Sequence, residues 1–104
     1  MSRNEGENNN GSNEVIHQST RLKIMAALRA LDAEEMVEFT RLKAMLQTTD
    51  GNLGAHLNTL EAAGYVEVIK DHAGKKPRTR LAMTRSGRTA FEAHVAYLRD
   101  ILEG

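Results

Sequence analysis

Apolar side chains recur every three or four residues in the first third of the chain, which is the spacing of one face of a helix. The pattern begins at Val15, and Ser19 or Thr20 is expected to cap the start of the helix. Residues 36–38 are too few for more than a single ladder contact with another strand. The side chains expected on the buried face of this first helix are Leu22, Ile24, Met25, Leu28 and Leu31.

Two further helices are predicted after this segment. Thr40 is expected to cap a helix over residues 41–47, and a short polar break then leads into a longer helix over residues 50–63. The tight connection keeps these two helices next to each other. Their expected buried faces are Leu42, Met45 and Leu46 in the shorter helix, and Leu53, Leu57 and Leu60 in the longer one.

The period of the pattern changes from 3.6 to two after Gly64, which predicts a β-hairpin. Gly64 stands where helices commonly end in a left-handed residue. Residues 71–77 have the composition of a turn, and a second strand runs from Arg78 to Met83, with Arg78 and Arg80 on one face. The first strand is predicted to contain Tyr65, Val66, Val68 and Ile69.

The last helix, for which Thr84 is the expected N-cap, carries two apolar stripes instead of one. A terminal helix needs one stripe to dock on its own core, so the second stripe predicts a partner, most simply a second copy of the chain. The residues assigned to this dimer interface are Phe91, His94, Val95, Tyr97, Leu98, Ile101 and Leu102.

The order of the predicted elements is that of a winged helix-turn-helix. The fold class is therefore α+β, mostly α, with a three-helix core, a β-hairpin wing and a long C-terminal dimerisation helix. In this arrangement the third helix enters a major groove and the hairpin reaches neighbouring phosphates. Residues 1–14 are rich in Asn, Gly and Glu and predict a disordered tail, which leaves residues 15–104 for the domain.

The composition excludes several classes of protein. The 104 residues include no Cys, so a disulfide framework, a thiolate metal site and a Cys nucleophile are all ruled out. The four His residues fall on different predicted elements without metal-ligand spacing, and no nucleophile elbow or phosphate loop is present. We therefore expect neither an enzyme nor a cofactor or metal, and the absence of a long apolar run predicts a cytoplasmic protein that makes no membrane contact.

The net charge of zero conceals an uneven distribution. Residues 31–38 carry four acidic side chains, whereas residues 70–88 carry seven Lys and Arg against Asp71 alone. A basic hairpin of this kind attracts a polyanion. Charge alone equally allows a solvated hairpin whose lysines protect a strand edge.

Three segments of the chain resemble the short stand-alone winged-helix regulators related to the MarR and ArsR groups. They are HQSTRLKIMAAL, FTRLKAMLQTTDGNLGAHLNTLEAAGYVEV and GKKPRTRLAMTRSGRTAFEAHVAYLRDIL, and the resemblance covers about residues 16–102. The resemblance implies a cytoplasmic homodimer that binds promoter DNA, pairs mainly through its terminal helices and has no separate ligand domain.

The third helix and the wing supply the candidate DNA contacts. The third helix has no Lys or Arg, in contrast to many such regulators, so positive charge must come from elsewhere. Arg21 and Lys23 are expected in solvent. The candidates on and just before the third helix are Thr49, Asn52, Ala55, His56, Asn58 and Thr59, and those for phosphate contact are Arg41, Lys43, Lys75, Lys76, Arg78 and Arg80.

These features predict a sequence-specific regulator of transcription that binds double-stranded DNA, in the form of a dimeric repressor that occludes a promoter. A winged-helix protein-interaction module without DNA binding is the alternative, favoured by the uncharged third helix and the acidic segment over residues 31–38. RNA is disfavoured because no aromatic residue lies on the third helix or in the wing. A small-molecule effector at the dimer interface stays open, and the sequence does not specify one.

Overall fold

Helices account for most of the regular structure in the computed structural model, which describes residues 12–32 and 35–104. Within these residues the chain forms five helices and three strands. Their bounds are α1 Glu14–His17, α2 Ser19–Arg29, β1 Val37–Glu38, α3 Phe39–Leu46, α4 Asp50–Ala62, β2 Val66–Ala73, β3 Lys76–Met83 and α5 Arg85–Glu103.

The first helical segment is divided in two by Gln18, whose backbone is extended. The Gln18 side chain accepts a hydrogen bond from the backbone N–H of Arg21 and so caps α2, which makes the predicted cap at Ser19 or Thr20 wrong. Asn13 caps α1 in the same way, through the N–H of Ile16. Asn13 thus takes part in the folded structure, whereas residues 1–11 of the predicted tail lie outside the described residues.

The helix-turn-helix consists of α3 and α4. Helix α3 begins at Phe39, directly after β1, so Thr40 lies in its first turn and the predicted cap there is wrong. The helix leaves the extended strand without a side-chain cap, because Glu38 precedes it in β1 and makes no capping hydrogen bond. Helix α4 agrees with the prediction to within one residue, and Gly64 follows it with a φ of 84°.

The three strands form an antiparallel sheet in the order β1-β3-β2. The hairpin ladder continues to the pair Ala73 and Lys76, so the turn is shorter than the predicted residues 71–77. Gly74, with a φ of 66°, allows the reversal within two residues. Strand β1 pairs with β3 at two positions, Val37 with Leu81 and Glu38 with Arg80, which is one pair more than the single ladder contact predicted for this segment.

The core lies between the helices and one face of the sheet. Every helix and strand contributes to it, and its buried apolar side chains are Ile16, Ile24, Met25, Leu28, Val37, Leu42, Leu53, Leu57, Leu60, Val66, Leu81 and Phe91. Met45, which the pattern assigned to the buried face of its helix, is 54% exposed. Leu42 and Leu46 provide the core contacts of α3, which leaves Met45 on the outer side of this helix.

Helix α5 begins as predicted, because Thr84 accepts a hydrogen bond from the N–H of Gly87 and caps it. The dimer assignment of Phe91 and His94 needs correction, since both side chains are buried within the single chain. His94 accepts a hydrogen bond from the backbone N–H of Asn13, and its Nε2 lies 3.3 Å from Nδ1 of His17. Through His94, Asn13 and His17 therefore hold α5 to the core of its own chain. No helix among the described residues is long and apolar enough to cross a bilayer.

Candidate nucleic-acid interface

Helix α4 presents an exposed polar face on the side opposite its buried leucines. Leu53, Leu57 and Leu60 point into the core, and the rotation of 100° per residue places the small and polar side chains outside. Of the predicted contact residues on this helix, Asn52, Ala55, Asn58 and Thr59 are exposed and His56 is half-buried. The structure thus gathers these five residues on the outer side of one helix.

Side chains in the preceding turn fix the start of α4. The Thr49 hydroxyl accepts a hydrogen bond of 3.1 Å from the N–H of Asn52 and caps the helix. Asn52 in turn donates from Nδ2 to the hydroxyl of Thr48 at 2.7 Å. Thr49 therefore has a capping role, and the Asn52 amide is oriented before any partner arrives.

His56 is anchored to α2 through Arg21. The guanidinium Nη1 of Arg21 lies 3.1 Å from Nδ1 of His56, and its Nε donates to the carbonyl of Val15 at 2.6 Å. Arg21 is consequently half-buried, and its expected place in solvent is wrong. Lys23, by contrast, is exposed as expected.

The two candidate cations on α3 have different surroundings. Lys43 forms an ion pair of 2.7 Å with Asp50, at the first residue of α4. Arg41 is exposed and forms no ion pair within the described part of the chain. Arg41 is therefore better placed than Lys43 to meet a phosphate.

Asp71 binds both arginines of the wing. Arg78 donates from Nε to one carboxylate oxygen at 2.7 Å, and Arg80 donates from Nη2 to the other at 2.7 Å. The hydrogen bond from Arg78 is the main cause that holds the pKa of Asp71 below its ordinary value, and the hydrogen bond from Arg80 adds to it, although partial burial acts in the opposite direction. The hydrogen bond between Arg78 and Asp71 also raises the pKa of Arg78. All three side chains are about one-third exposed.

Unpaired positive charge is also present at the tip of the hairpin. Lys75 and Lys76 are exposed, and no ion pair holds them among residues 12–32 and 35–104. The role of Asp71 was not predicted from the sequence, because a turn over residues 71–77 removes this residue from the ladder. A two-residue turn at Gly74 would have placed Asp71 directly opposite Arg78.

A cleft of about 450 Å³ separates the exposed face of α4 from the wing. Lys70 is the cation in its lining, and Glu61 is the acid. The cleft brings one edge of α4, which includes the candidate contact Asn58, beside Lys70 of the hairpin. Its lining includes Gly54, Asn58 and Glu61 from α4, and Val68, Lys70 and Thr79 from the hairpin.

The C-terminal end of α5 is apolar and uncovered. Ile101 is 60% exposed and Leu102 is 85% exposed, whereas Tyr97 and Leu98 are half-buried. Val95 packs against the core of its own chain. Of the predicted dimer residues, those from Tyr97 onward are the ones that a second protein can reach.

The histidines do not assemble a metal site in the described ranges, where no group of three or more potential ligands occurs. His17 and His94 do meet, with ring centroids 5.3 Å apart, although they are 77 positions apart in the sequence. Their spacing gave no indication of this pair, which depends on α1 docking against α5.

Comparisons with known proteins agree with this geometry. Residues 20–102 match the family described as winged helix DNA-binding domain. The uncharacterized protein MJ0432 of Methanocaldococcus jannaschii is 38% identical over 89 residues, which cover 86% of this chain and 90% of that protein.

Two solved structures have similar folds. A transcriptional regulator homologue from Pyrococcus horikoshii has a TM-score of 0.79 at 28% identity, covering 86% of each chain. A mutant of MepR from a multidrug-resistant S. aureus clinical isolate has a TM-score of 0.64 at 18% identity, covering 93% of this chain and 60% of that one.

Proposed function

The chain belongs to the family of winged helix DNA-binding domains, and from this premise we propose that it is a homodimeric, sequence-specific repressor that occludes a promoter. Membership of a DNA-binding family confirms the prediction of a non-enzymatic protein and the resemblance to winged-helix regulators. The relation to the MarR and ArsR groups in particular, and the cytoplasmic location, stay predictions.

The observation that carries the proposal is the cleft that α4 shares with the wing. The uncharged polar face of α4 suits contacts with base edges, because Asn and Thr side chains donate to and accept from bases without a fixed charge. Lys75 and Lys76 on the wing, together with Arg41 on α3, supply positive charge for contacts with the phosphates of the DNA backbone. Affinity and specificity would thus come from different elements.

The exposed end of α5 supports the dimer. A second copy that covered Ile101 and Leu102 would remove two large apolar side chains from water. In a two-fold dimer the two α4 helices would enter successive major grooves about 34 Å apart, which predicts a nearly palindromic operator. A small-molecule effector at this interface stays open.

The experiment measures fluorescence anisotropy with the duplex upstream of the protein's own gene and with a scrambled duplex, from about 50 to about 200 mM salt. Selective binding with a steep salt dependence is the expected result. Replacing both Lys75 and Lys76 by Ala should reduce the salt slope by about 2. The matched control replaces Lys23 and Arg99 by Ala, which removes the same charge from exposed positions outside the wing.

A protein-interaction module without DNA binding is the second candidate. The pairing of Lys43 with Asp50, and of both wing arginines with Asp71, favours it by lowering the free positive charge near α4. A dimer that binds neither duplex, even at about 50 mM salt, would decide for this candidate.

A further inference from the structure

The contact between Arg21 and His56 determines which ring nitrogen of His56, a half-buried residue of α4, carries the proton. Arg21 is held at three points: its backbone N–H by Gln18, its Nε by the Val15 carbonyl and its Nη1 by His56. Helix α2, together with the carbonyl of Val15 in α1, thereby sets the orientation of the guanidinium that faces α4.

The chemistry of arginine decides which nitrogen of His56 carries the proton. A guanidinium has only N–H donors and stays protonated in proteins. Nδ1 of His56, 3.1 Å from Nη1, must therefore accept through its lone pair. A proton on Nδ1 would break this contact, so the neutral ring carries its hydrogen on Nε2.

Nε2 of His56 remains accessible. It forms no hydrogen bond to any described residue. Among the described residues, the side-chain nitrogen or oxygen that is both buried and without a partner is Nε of Arg80, so Nε2 of His56 is not a buried atom. His56 lies on the same flank of α4 as Asn52 and Thr59, because the three positions project within about 60° of one another on a helix. The flank thus presents a fixed N–H donor beside an oriented amide.

We infer that Arg21 is a positioning residue that makes His56 a hydrogen-bond donor to a base acceptor in the major groove, best matched by guanine. Guanine presents two acceptors, N7 and O6, on its major-groove edge, whereas adenine and thymine present one acceptor each beside a donor or a methyl group, and cytosine offers a donor. An imidazole with Nε2 as acceptor would instead prefer the amino group that cytosine presents. This inference rests on the proposed function, because it assigns a base preference within the DNA contact.

The first part of the test needs no DNA. Long-range nitrogen–proton NMR spectra of the full chain, labelled at histidine, should show Nε2–H and a bare Nδ1 for His56. In the Arg21→Met variant, which keeps the aliphatic stem but has no donor, the two tautomers should mix. Arg21→Lys restores a donor and should recover the Nε2–H form, which separates positioning from general loss of structure, and circular dichroism checks the fold of both variants.

The second part uses the duplex that the wild-type protein selects from a randomised pool. Each guanine is replaced in turn by 7-deazaguanine, which lacks the N7 acceptor and still pairs with cytosine. At one guanine in each half-site, this replacement should lower the affinity of the wild-type protein for the duplex by about five- to tenfold. His56→Ala should abolish that sensitivity and Arg21→Met should reduce it, with binding to a scrambled duplex unchanged in both.

The outcomes distinguish this inference from the proposed function. Binding to the selected duplex without a sensitive guanine, or equal sensitivity in Arg21→Met and wild type, overturns donation from Nε2 of His56 to N7 of a guanine and leaves the proposed function in place. A wild-type spectrum with the proton on Nδ1 overturns the positioning role of Arg21. A wild-type protein that selects no duplex overturns the proposed function and the base preference together.

Discussion

Gly87 lies against the backbone carbonyl of Tyr65, and a Cβ at position 87 would come within 2.9 Å of the carbonyl carbon. The same carbonyl accepts a hydrogen bond of 3.1 Å from the N–H of Thr84. The first turn of α5 therefore docks on the segment that leads into β2 through direct backbone contact, which a larger residue would prevent.

Replacing Gly87 by Ala is expected to lower the free energy of unfolding by about 1–3 kcal/mol, because the backbone must shift to admit a methyl group. Gly51→Ala is the matched control. A Cβ there meets no atom within 4 Å, so the same change should raise the free energy of unfolding by about 0.5–1 kcal/mol. Urea unfolding measures both, and equal effects of the two substitutions would contradict the close approach.

Replacing Asp71 by Asn should strengthen binding to any duplex. The substitution releases Arg78 and Arg80 from their carboxylate, and one or two new phosphate contacts should steepen the salt slope by about 1 to 2. Glu67→Gln removes the same charge from an exposed position of β2. If both variants changed the slope equally in anisotropy titrations, net charge and not arginine release would explain the effect.

Asp71 also gives the wing a defined dependence on pH. Its pKa in the folded protein is lower than the ordinary value of 3.8, so its contribution to stability is complete above that value. The contribution is lost as the pH falls through the folded-state pKa. Wild type should therefore lose more thermal stability than Asp71→Asn between about pH 5 and about pH 2, as followed by circular dichroism. Parallel losses in the two proteins would refute this.

Replacing Ile101 and Leu102 by Glu should weaken self-association without unfolding the chain, because both side chains are exposed in the single protein. Sedimentation velocity over a range of concentrations provides the measurement. Met45→Glu is the control, since it charges an exposed apolar residue on α3. An unchanged association constant in the double variant would place the dimer contact elsewhere.

Local sequence signals predicted much of this fold. Gly64, Thr84 and the leucine spacing of α4 each depend on interactions within a few residues, and each prediction agrees with the structure. The hairpin was predicted for the same reason. Its turn was placed over too many residues, because a polar composition does not show where a ladder ends.

Two of the misassigned residues, Arg21 and His94, depend on partners far away in the sequence. Arg21 meets His56 across 35 positions, and His94 meets Asn13 across 81. Periodicity shows which side of a helix is apolar, and it cannot show which distant group will satisfy a polar side chain. His94 was thus assigned to a dimer surface, although it is held inside its own chain.

The contacts of Asn13 also have a consequence for the order in which the protein folds. Its partners Tyr65 and His94 lie 52 and 81 positions away, so this junction closes long loops of the chain, whereas the hairpin can form from local pairing. Helix α1, only four residues long, should then be the last element to dock and the first to detach. In native-state hydrogen exchange, the amides of Ile16 and His17 should open ahead of those in α4, and each opening would briefly leave α5 without its N-terminal neighbour.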